Sequence, residues 1–159
     1  MLPTHQPTVS LRPVRAEDLP SLYSFQCDPE SARMAMVIPR SRENFDSLWA
    51  GILANPSATA RAILYDGSLV GSIGTFLSDG HESVGYGIAR SHWGRGIATR
   101  ALALLLAEAK IRPLHARAAV SNAGSHKVLI NNGFTMTGTV YEEATERYLA
   151  CDCACYILT

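Results

Sequence analysis

Two Asp-Gly pairs, Asp66-Gly67 and Asp79-Gly80, do most to limit the folds open to this chain. Asp-Gly supplies the positive φ angles that a tight β-turn demands, and both pairs sit between strand-like segments. Ala58 to Tyr65, Ser68 to Leu77 and a segment through Val84-Gly85-Tyr86-Gly87-Ile88 therefore read as three consecutive antiparallel strands. A sheet of that kind needs helices packed on it, and the flanking sequence supplies them.

Upstream, Val9 to Val14 alternates like a strand that Pro13 ends or confines to a sheet edge. Arg15 to Leu19 opens a helix with acidic residues in its first turn, where the dipole favours them. Leu19, Leu22, Tyr23 and Gln26 give it a stripe at helical spacing. Further helices are predicted from Pro29 to Val37 and from Ser41 to Ala54, the second with Ser41 as its cap and Phe45, Leu48, Trp49 and Ile52 as its buried face.

Downstream, Gly96 to Lys110 is almost wholly Ala and Leu, which predicts a helix buried on most sides and ended by Pro113. Leu114 to Val120 reads as a strand, Asn122 to Asn131 as a helix stopped at Gly133, and Phe134–Tyr141 and Tyr148–Leu158 as two closing strands. The fold class is α+β, sandwich-like: a single domain over 8–159 with a mixed, mostly antiparallel central sheet flanked by helices. Residues 1–7 read as a disordered or extended lead-in.

Composition narrows the partners. The chain has 159 residues, of which 47% are apolar, enough for one domain with a sizeable core. Fourteen basic residues balance fourteen acidic ones, so nothing pulls the chain as a whole toward nucleic acid or membrane. The stretch Met1 to Ser10 lacks a signal-type apolar region, and Ala101 to Ala107 falls far short of the roughly 20 residues of a membrane span. A cytoplasmic location is the expectation. Cys151, Cys153 and Cys155 alternate on one strand face, a poor geometry for a tetrahedral metal, so they read as small apolar residues and no metal is expected.

The chemistry concentrates in Ser91-His92-Trp93-Gly94-Arg95-Gly96-Ile97-Ala98-Thr99-Arg100. This segment joins a predicted strand to the long Ala/Leu helix, so its amides lack intrahelical partners at the positive end of the dipole. Gly94 and Gly96 let an anion approach those amides closely. Arg95 and Arg100 add positive charge where a helix start disfavours it, a conflict that a bound polyanion resolves. A nucleotide-phosphate binder of the P-loop kind fits this turn poorly, because no Gly-Lys-Ser/Thr follows a four-residue spacer.

The turn resembles the R/Q-x-x-G-x-G/A signature of the GNAT acetyltransferase superfamily, in its form with Trp first: Trp93-Gly94-Arg95-Gly96-Ile97-Ala98. Gly85-Tyr86-Gly87-Ile88 resembles the strand before it. Asn122 to Leu129, then Asn132-Gly133-Phe134, resemble the N-x-x-S-x-x-x-L…G-F segment. The combination is similar to the branch of ribosomal-protein N-terminal (alanine/serine) acetyltransferases.

The resemblance implies an N-acetyltransferase that moves an acetyl group from acetyl-CoA, its co-substrate, to a primary amine of a protein N-terminus or a small molecule. A monomer or homodimer is the expectation. Coenzyme A pyrophosphate would lie on the amides of Arg95, Gly96, Ile97, Ala98 and Thr99. Ile88 and Ala89 would hold the pantetheine arm, and one of their N–H groups is the oxyanion candidate. Asn122 would touch the same arm, and Ser125 would lie at the sulfur as general acid. Ser125 has no activated-nucleophile context, so direct attack is expected.

The general base is less defined. The branch often carries an acidic residue where this chain has Ser83, with Glu82 displaced by one position and expected to face the other way. Glu82 is the named candidate, with Asp79, His81, Tyr86, Glu142 and Glu143 behind it. A non-catalytic acyl-CoA-binding regulatory module is the alternative. Acceptor choice falls to the helices over 29–54 and the loop between Tyr141 and Tyr148, where Arg33, Arg40, Arg42 and Arg61 either favour an acidic acceptor or form a solvated face.

Overall fold

The computed structural model describes residues 6–159, so most of the expected lead-in, residues 1–5, lies outside the described residues. One seven-stranded sheet runs through the molecule in the order β1-β2-β3-β4-β5-β7-β6. The strands are β1 (Val9–Pro13), β2 (Thr59–Tyr65), β3 (Ser68–Ser78), β4 (His81–Ile88), β5 (Leu114–Ala119), β6 (Thr135–Glu142) and β7 (Cys151–Leu158). Every neighbouring pair is antiparallel except β4 and β5. Those two are parallel and joined at a single register pair, Ser83 with His115, beyond which they part.

The two Asp-Gly turns behave as their sequence demands. Asp66 and Gly67 have φ of 53° and 85°, and Asp79 and Gly80 have 52° and 78°, the left-handed geometry that closes a hairpin with the sheet's twist. Pro13 ends β1, an edge strand, where its missing N–H costs no ladder bond.

Among the described residues, five α-helices cover the sheet: α1 (Leu19–Gln26), α2 (Pro29–Ala35), α3 (Arg42–Ala54), α4 (Ile97–Glu108) and α5 (Ala123–Asn131). On β2, adjacent residues divide the core. Ile63 joins the larger cluster with Ile97, Leu102 and Leu105 of α4 and Leu129 of α5. Ala62 joins a smaller one with Leu22 of α1 and Phe45 of α3. Since neighbouring strand residues point to opposite faces, α4 and α5 lie on one side of the sheet, α1 and α3 on the other.

Four expectations need revision. On α3, Phe45 is sealed but Leu48 is 39% exposed, so the buried face is narrower than its spacing suggests. The helix α4 is amphipathic rather than buried on most sides: Ile97, Ala101, Leu102 and Leu105 are sealed, but Leu104 is 41% exposed. It also stops at Glu108, short of Pro113. The predicted last strand loses its first residues, because Tyr148 pairs with Val37 instead of extending β7. The three alternating cysteines do share a face but are half-buried, with Cys151 and Cys153 sulfurs 3.5 Å apart.

A buried carboxylate fixes the entry to α1. Asp18 is 5% exposed, accepts two bonds from the Arg12 guanidinium at 2.7 and 2.8 Å, and accepts the Arg15 N–H at 2.8 Å. The Arg12 hydrogen bond, more than any other influence, holds its pKa below the usual carboxylate value. A depressed folded-state pKa contributes stability above the unfolded value, lost as pH falls through the folded one. Asp18→Asn should therefore cost about 2 kcal/mol at neutral pH, the scale of hydrogen bonds to a charged group. Urea titrations at pH 7 and in strong acid check this: the gap between parent and variant should close in acid, and a constant gap would refute the assignment.

Candidate active site

Past the Ser83–His115 bridge, no ladder joins β4 to β5. The Ala89 N–H is bonded to the Val70 carbonyl on β3 at 2.7 Å. Antiparallel pairing alternates, so Tyr86 and Ile88 must turn their peptide groups the other way, into the opening toward β5. The Ile88 carbonyl there accepts the Trp93 indole N–H at 2.8 Å. Of the two expected oxyanion donors, Ala89 is thus occupied and the Ile88 N–H faces the gap.

Beside this opening, Gly94 and Gly96 have φ of 78° and 72°, and α4 begins immediately after. Gly96 occupies the N-cap position, and no side chain caps the helix. The amides of Ile97, Ala98 and Thr99 consequently start α4 with no side-chain acceptor, and the first helical bond is from the Arg100 N–H to the Gly96 carbonyl. Ile97, 2% exposed, anchors the turn in the core. Arg95 lies over the Tyr65 ring, 5.7 Å from its centroid, and Arg100 donates to the Pro7 carbonyl at 2.7 Å. Neither has a carboxylate partner among the described residues.

Across the opening stands α5. Asn122 caps it by accepting the Ser125 N–H at 3.2 Å, which leaves the Asn122 side-chain nitrogen without a partner among the described residues. The Ser125 hydroxyl lies 2.7 Å from the Tyr86 hydroxyl, so strand and helix meet there. Burial, chiefly, pushes the Tyr86 phenol up to about 12, opposed by the Ser125 hydrogen bond. Asn132 binds the Thr99 and Val128 carbonyls at 3.1 and 2.9 Å, tying α5 to α4. The Asn132–Thr99 bond joins residues 33 positions apart, so its partner could not be read locally, whereas the Trp93 indole bond spans only five residues.

The candidate bases are scattered. Glu82 shares a sheet face with Tyr86 but lies four residues away, roughly 13 Å along the strand. Asp79 and Glu142 both pair with Arg117, at 3.5 and 2.5 Å. His81 stacks on His115 with ring centroids 4.4 Å apart, and Glu143 is exposed in the loop after β6. His126 bonds Tyr156 and Val120, which makes it a brace between α5 and the sheet.

On the other face, a cleft of about 290 Å³ lies between the first three helices and the β3–β4 pair. Phe25, Phe45, Trp49 and Val37 line it, with Gln26, Ser31 and Ser72 as polar groups and the Tyr86–Ile88 strand end as its floor. No carboxylate or imidazole is among its lining residues. A neighbouring, more open depression of about 390 Å³ is bounded by Asp28 and Arg90, an ion pair at 3.2 Å in which Asp28 also caps α2.

A sheet split between its two parallel strands, with an uncapped glycine-led helix start beside the split, defines the class of coenzyme A-dependent acyltransferases. The profile of the acetyltransferase (GNAT) domain matches residues 8–135, and the chain belongs to that family. It is an acetyltransferase of the GNAT type. No curated protein matches the sequence.

Solved structures share the fold at low identity. The ribosomal-protein α-N-acetyltransferase RimL, in complex with coenzyme A, is 20% identical, with 95% of this chain and 93% of that one covered at a TM-score of 0.78. A spermidine N-acetyltransferase from Vibrio cholerae, with coenzyme A and spermine, is 16% identical over 94% of each chain at 0.80. RimJ of Mycobacterium smegmatis is 23% identical, with 94% and 81% covered at 0.75. Among the described residues no helix is long and apolar enough to cross a membrane, and no group of three or more His, Cys, Asp and Glu is placed to hold a metal.

Proposed function

We propose that this chain carries an acetyl group from acetyl-coenzyme A to a primary amine by direct attack, without an acyl-enzyme. The observation that carries the reading is the uncapped start of α4 behind two left-handed glycines, opening onto the gap between β4 and β5. The amides of Arg95, Gly96, Ile97, Ala98 and Thr99 hold the diphosphate, with Arg95 and Arg100 supplying charge. The pantetheine arm runs along the free edge of β4 at Tyr86 and Ile88, and the free amide of Asn122 reaches it. The Ile88 N–H stabilises the oxyanion; Ala89 supports the strand from behind through its bond to Val70. Ser125, aligned by Tyr86, donates to the departing sulfur. Complexes of related folds with coenzyme A, and with spermine as an amine, support the same pairing of ligands. The reading carries a cytoplasmic setting and a monomer or homodimer.

The amine enters from the aromatic cleft. Only its free base attacks a carbonyl, and an alkylamine near pKa ~10.4 is mostly protonated at neutral pH. With no carboxylate or imidazole lining the cleft, the proton leaves to water, and Glu82 contributes little. The rate constant kcat/KM for the amine should then rise about tenfold per pH unit until the amine's own pKa is reached. A profile that levels off below pH 7, and loses that plateau in Glu82→Gln, would overturn the water route. The lack of a lining base also favours one second reading, a binding module that senses acyl-CoA. Thiol release with a broad amine panel separates them: turnover supports the transferase, while tight coenzyme binding with no turnover supports the sensor.

A further inference from the structure

Four arginines are candidates for choosing the acceptor, and the structure sorts them. Arg33 pairs with Glu30, Arg42 with Asp46 and Arg61 with Glu108. Arg40 has no carboxylate among the described residues. It is instead fixed by its backbone: the Gln26 amide donates to the Arg40 carbonyl at 3.0 Å and accepts the Arg40 N–H at 2.9 Å. Gln26 lines the aromatic cleft, so Arg40 stands at the rim of that cleft.

A second arginine meets it there. The loop between β6 and β7 crosses to the segment after α2, where Val37 bridges Tyr148, the Ile38 N–H donates to the Arg147 carbonyl at 2.7 Å and the Leu149 N–H donates to the Met36 carbonyl at 2.9 Å. This strap holds Arg147 half-buried, with one terminal nitrogen on the Ile38 carbonyl. Its Nε is buried with no acceptor, and its other terminal nitrogen has none among the described residues. Burial first, and then the charge of Arg40, push the Arg147 pKa below its usual value. Arg40 and Arg147 thus stand on the two sides of Ile38, close enough to feel each other's charge, with the Tyr148 ring 5.6 Å from the Arg147 guanidinium carbon and no carboxylate partner for either among the described residues. Most other arginines, Arg12, Arg33, Arg42, Arg61, Arg90 and Arg117 among them, are paired with carboxylates.

We propose that the acceptor amine carries an anionic group, a carboxylate or phosphate, that seats between Arg40 and Arg147 while its apolar body fills the cleft lined by Phe25, Phe45 and Trp49. This rests on the transferase reading and deepens it by naming the substrate class. The planar guanidinium fork suits either oxyanion. An anion there also relieves the mutual repulsion of the two cations, so binding and ordering of the strap reinforce each other.

The test uses protein saturated with coenzyme A, which occupies the diphosphate turn. Inorganic phosphate is titrated while the arginine Nε–H resonances are followed by NMR, in the parent, Arg40→Gln and Arg147→Lys chains. A saturable shift of the Arg147 signal in the parent, weakened at least tenfold in Arg40→Gln, is the expected result. No saturation, or equal binding in Arg40→Gln, overturns the proposal.

Thiol release then compares ω-amino carboxylates and aminoalkyl phosphates with alkylamines of matched length. The anionic members should have kcat/KM at least tenfold higher, and Arg40→Gln should raise their KM while leaving the neutral amines unchanged. Turnover that ignores the anionic group defeats this inference alone. Absent heat of coenzyme A binding in the parent chain defeats the transferase reading beneath it. Arg147→Lys keeps the charge and tests the fork: carboxylate affinity should fall without loss of the folded strap.

Discussion

Replacing Gly94 and Gly96 together with valine should weaken coenzyme A binding by more than about 100-fold, the equivalent of roughly 2.7 kcal/mol. Both glycines sit at φ above 70°, where a β-branched residue is disfavoured by about 1–2 kcal/mol apiece. A Cβ at either position meets nothing within 4 Å, so the cost is conformational and no neighbour is displaced. The helix beyond is anchored by Ile97, Ala101, Leu102 and Leu105, all sealed in the core, and should persist. What fails is the approach of a diphosphate to the amides, because relaxing φ rotates those N–H groups away and the new methyls cover them. Calorimetry gives the affinity, and thermal unfolding without ligand separates it from a stability loss. Gly94→Asn is the control, since asparagine tolerates the left-handed region and should retain much of the binding. Unchanged affinity in the valine pair would remove the diphosphate from this turn.

The turn and its helix were legible in the sequence because both are local. Glycine at positive φ, an absent capping side chain and an Ala/Leu run all act within a few residues. The same holds for the hairpins at Asp66-Gly67 and Asp79-Gly80, and for Ser41, which caps α3 by accepting the Asn44 N–H at 3.2 Å. Asn122 and Ser125 are legible as a cap and a first-turn hydroxyl. That Tyr86 meets Ser125 follows only once β4 and α5 are packed, 39 positions apart in the chain.

The residues of the acceptor side were the hardest to read. Tyr148 looks like the start of a strand by alternation, yet its partner proves to be Val37 in another layer, and no periodicity encodes that exchange. Arg147 likewise carries no motif; its interest lies in what surrounds it. The four arginines read from sequence were indistinguishable until their carboxylate partners could be seen. The α4 helix shows the converse error. A run of small and aliphatic residues sets how apolar a helix is, but only the sheet beneath decides how much of it is covered.

Ser125→Ala should lower kcat by about 10²-fold, the loss measured when one donor to a developing anion is removed, with little change in coenzyme A affinity. The proton inventory explains why. A thiol with pKa near ~8.5 leaves as a thiolate, and a phenol pushed up to about 12 cannot protonate it downhill. In the proposed reaction the Tyr86–Ser125 pair would therefore act as a hydrogen-bond donor to the sulfur. The proton that finally reaches the thiolate comes from the attacking nitrogen, which becomes acidic once it bonds to the carbonyl carbon. Ser125 can pass that proton on while Tyr86 fixes its hydroxyl. Tyr86→Phe should consequently cost less, about tenfold, since Ser125 survives but loses its 2.7 Å partner. A solvent deuterium isotope effect on kcat in the parent chain should shrink toward unity in Ser125→Ala. A purely structural serine would leave that effect intact. If Ser125→Ala kept its kcat, or lost coenzyme A binding in proportion, the hydroxyl pair would be a fastening between β4 and α5 with no part in the leaving-group step.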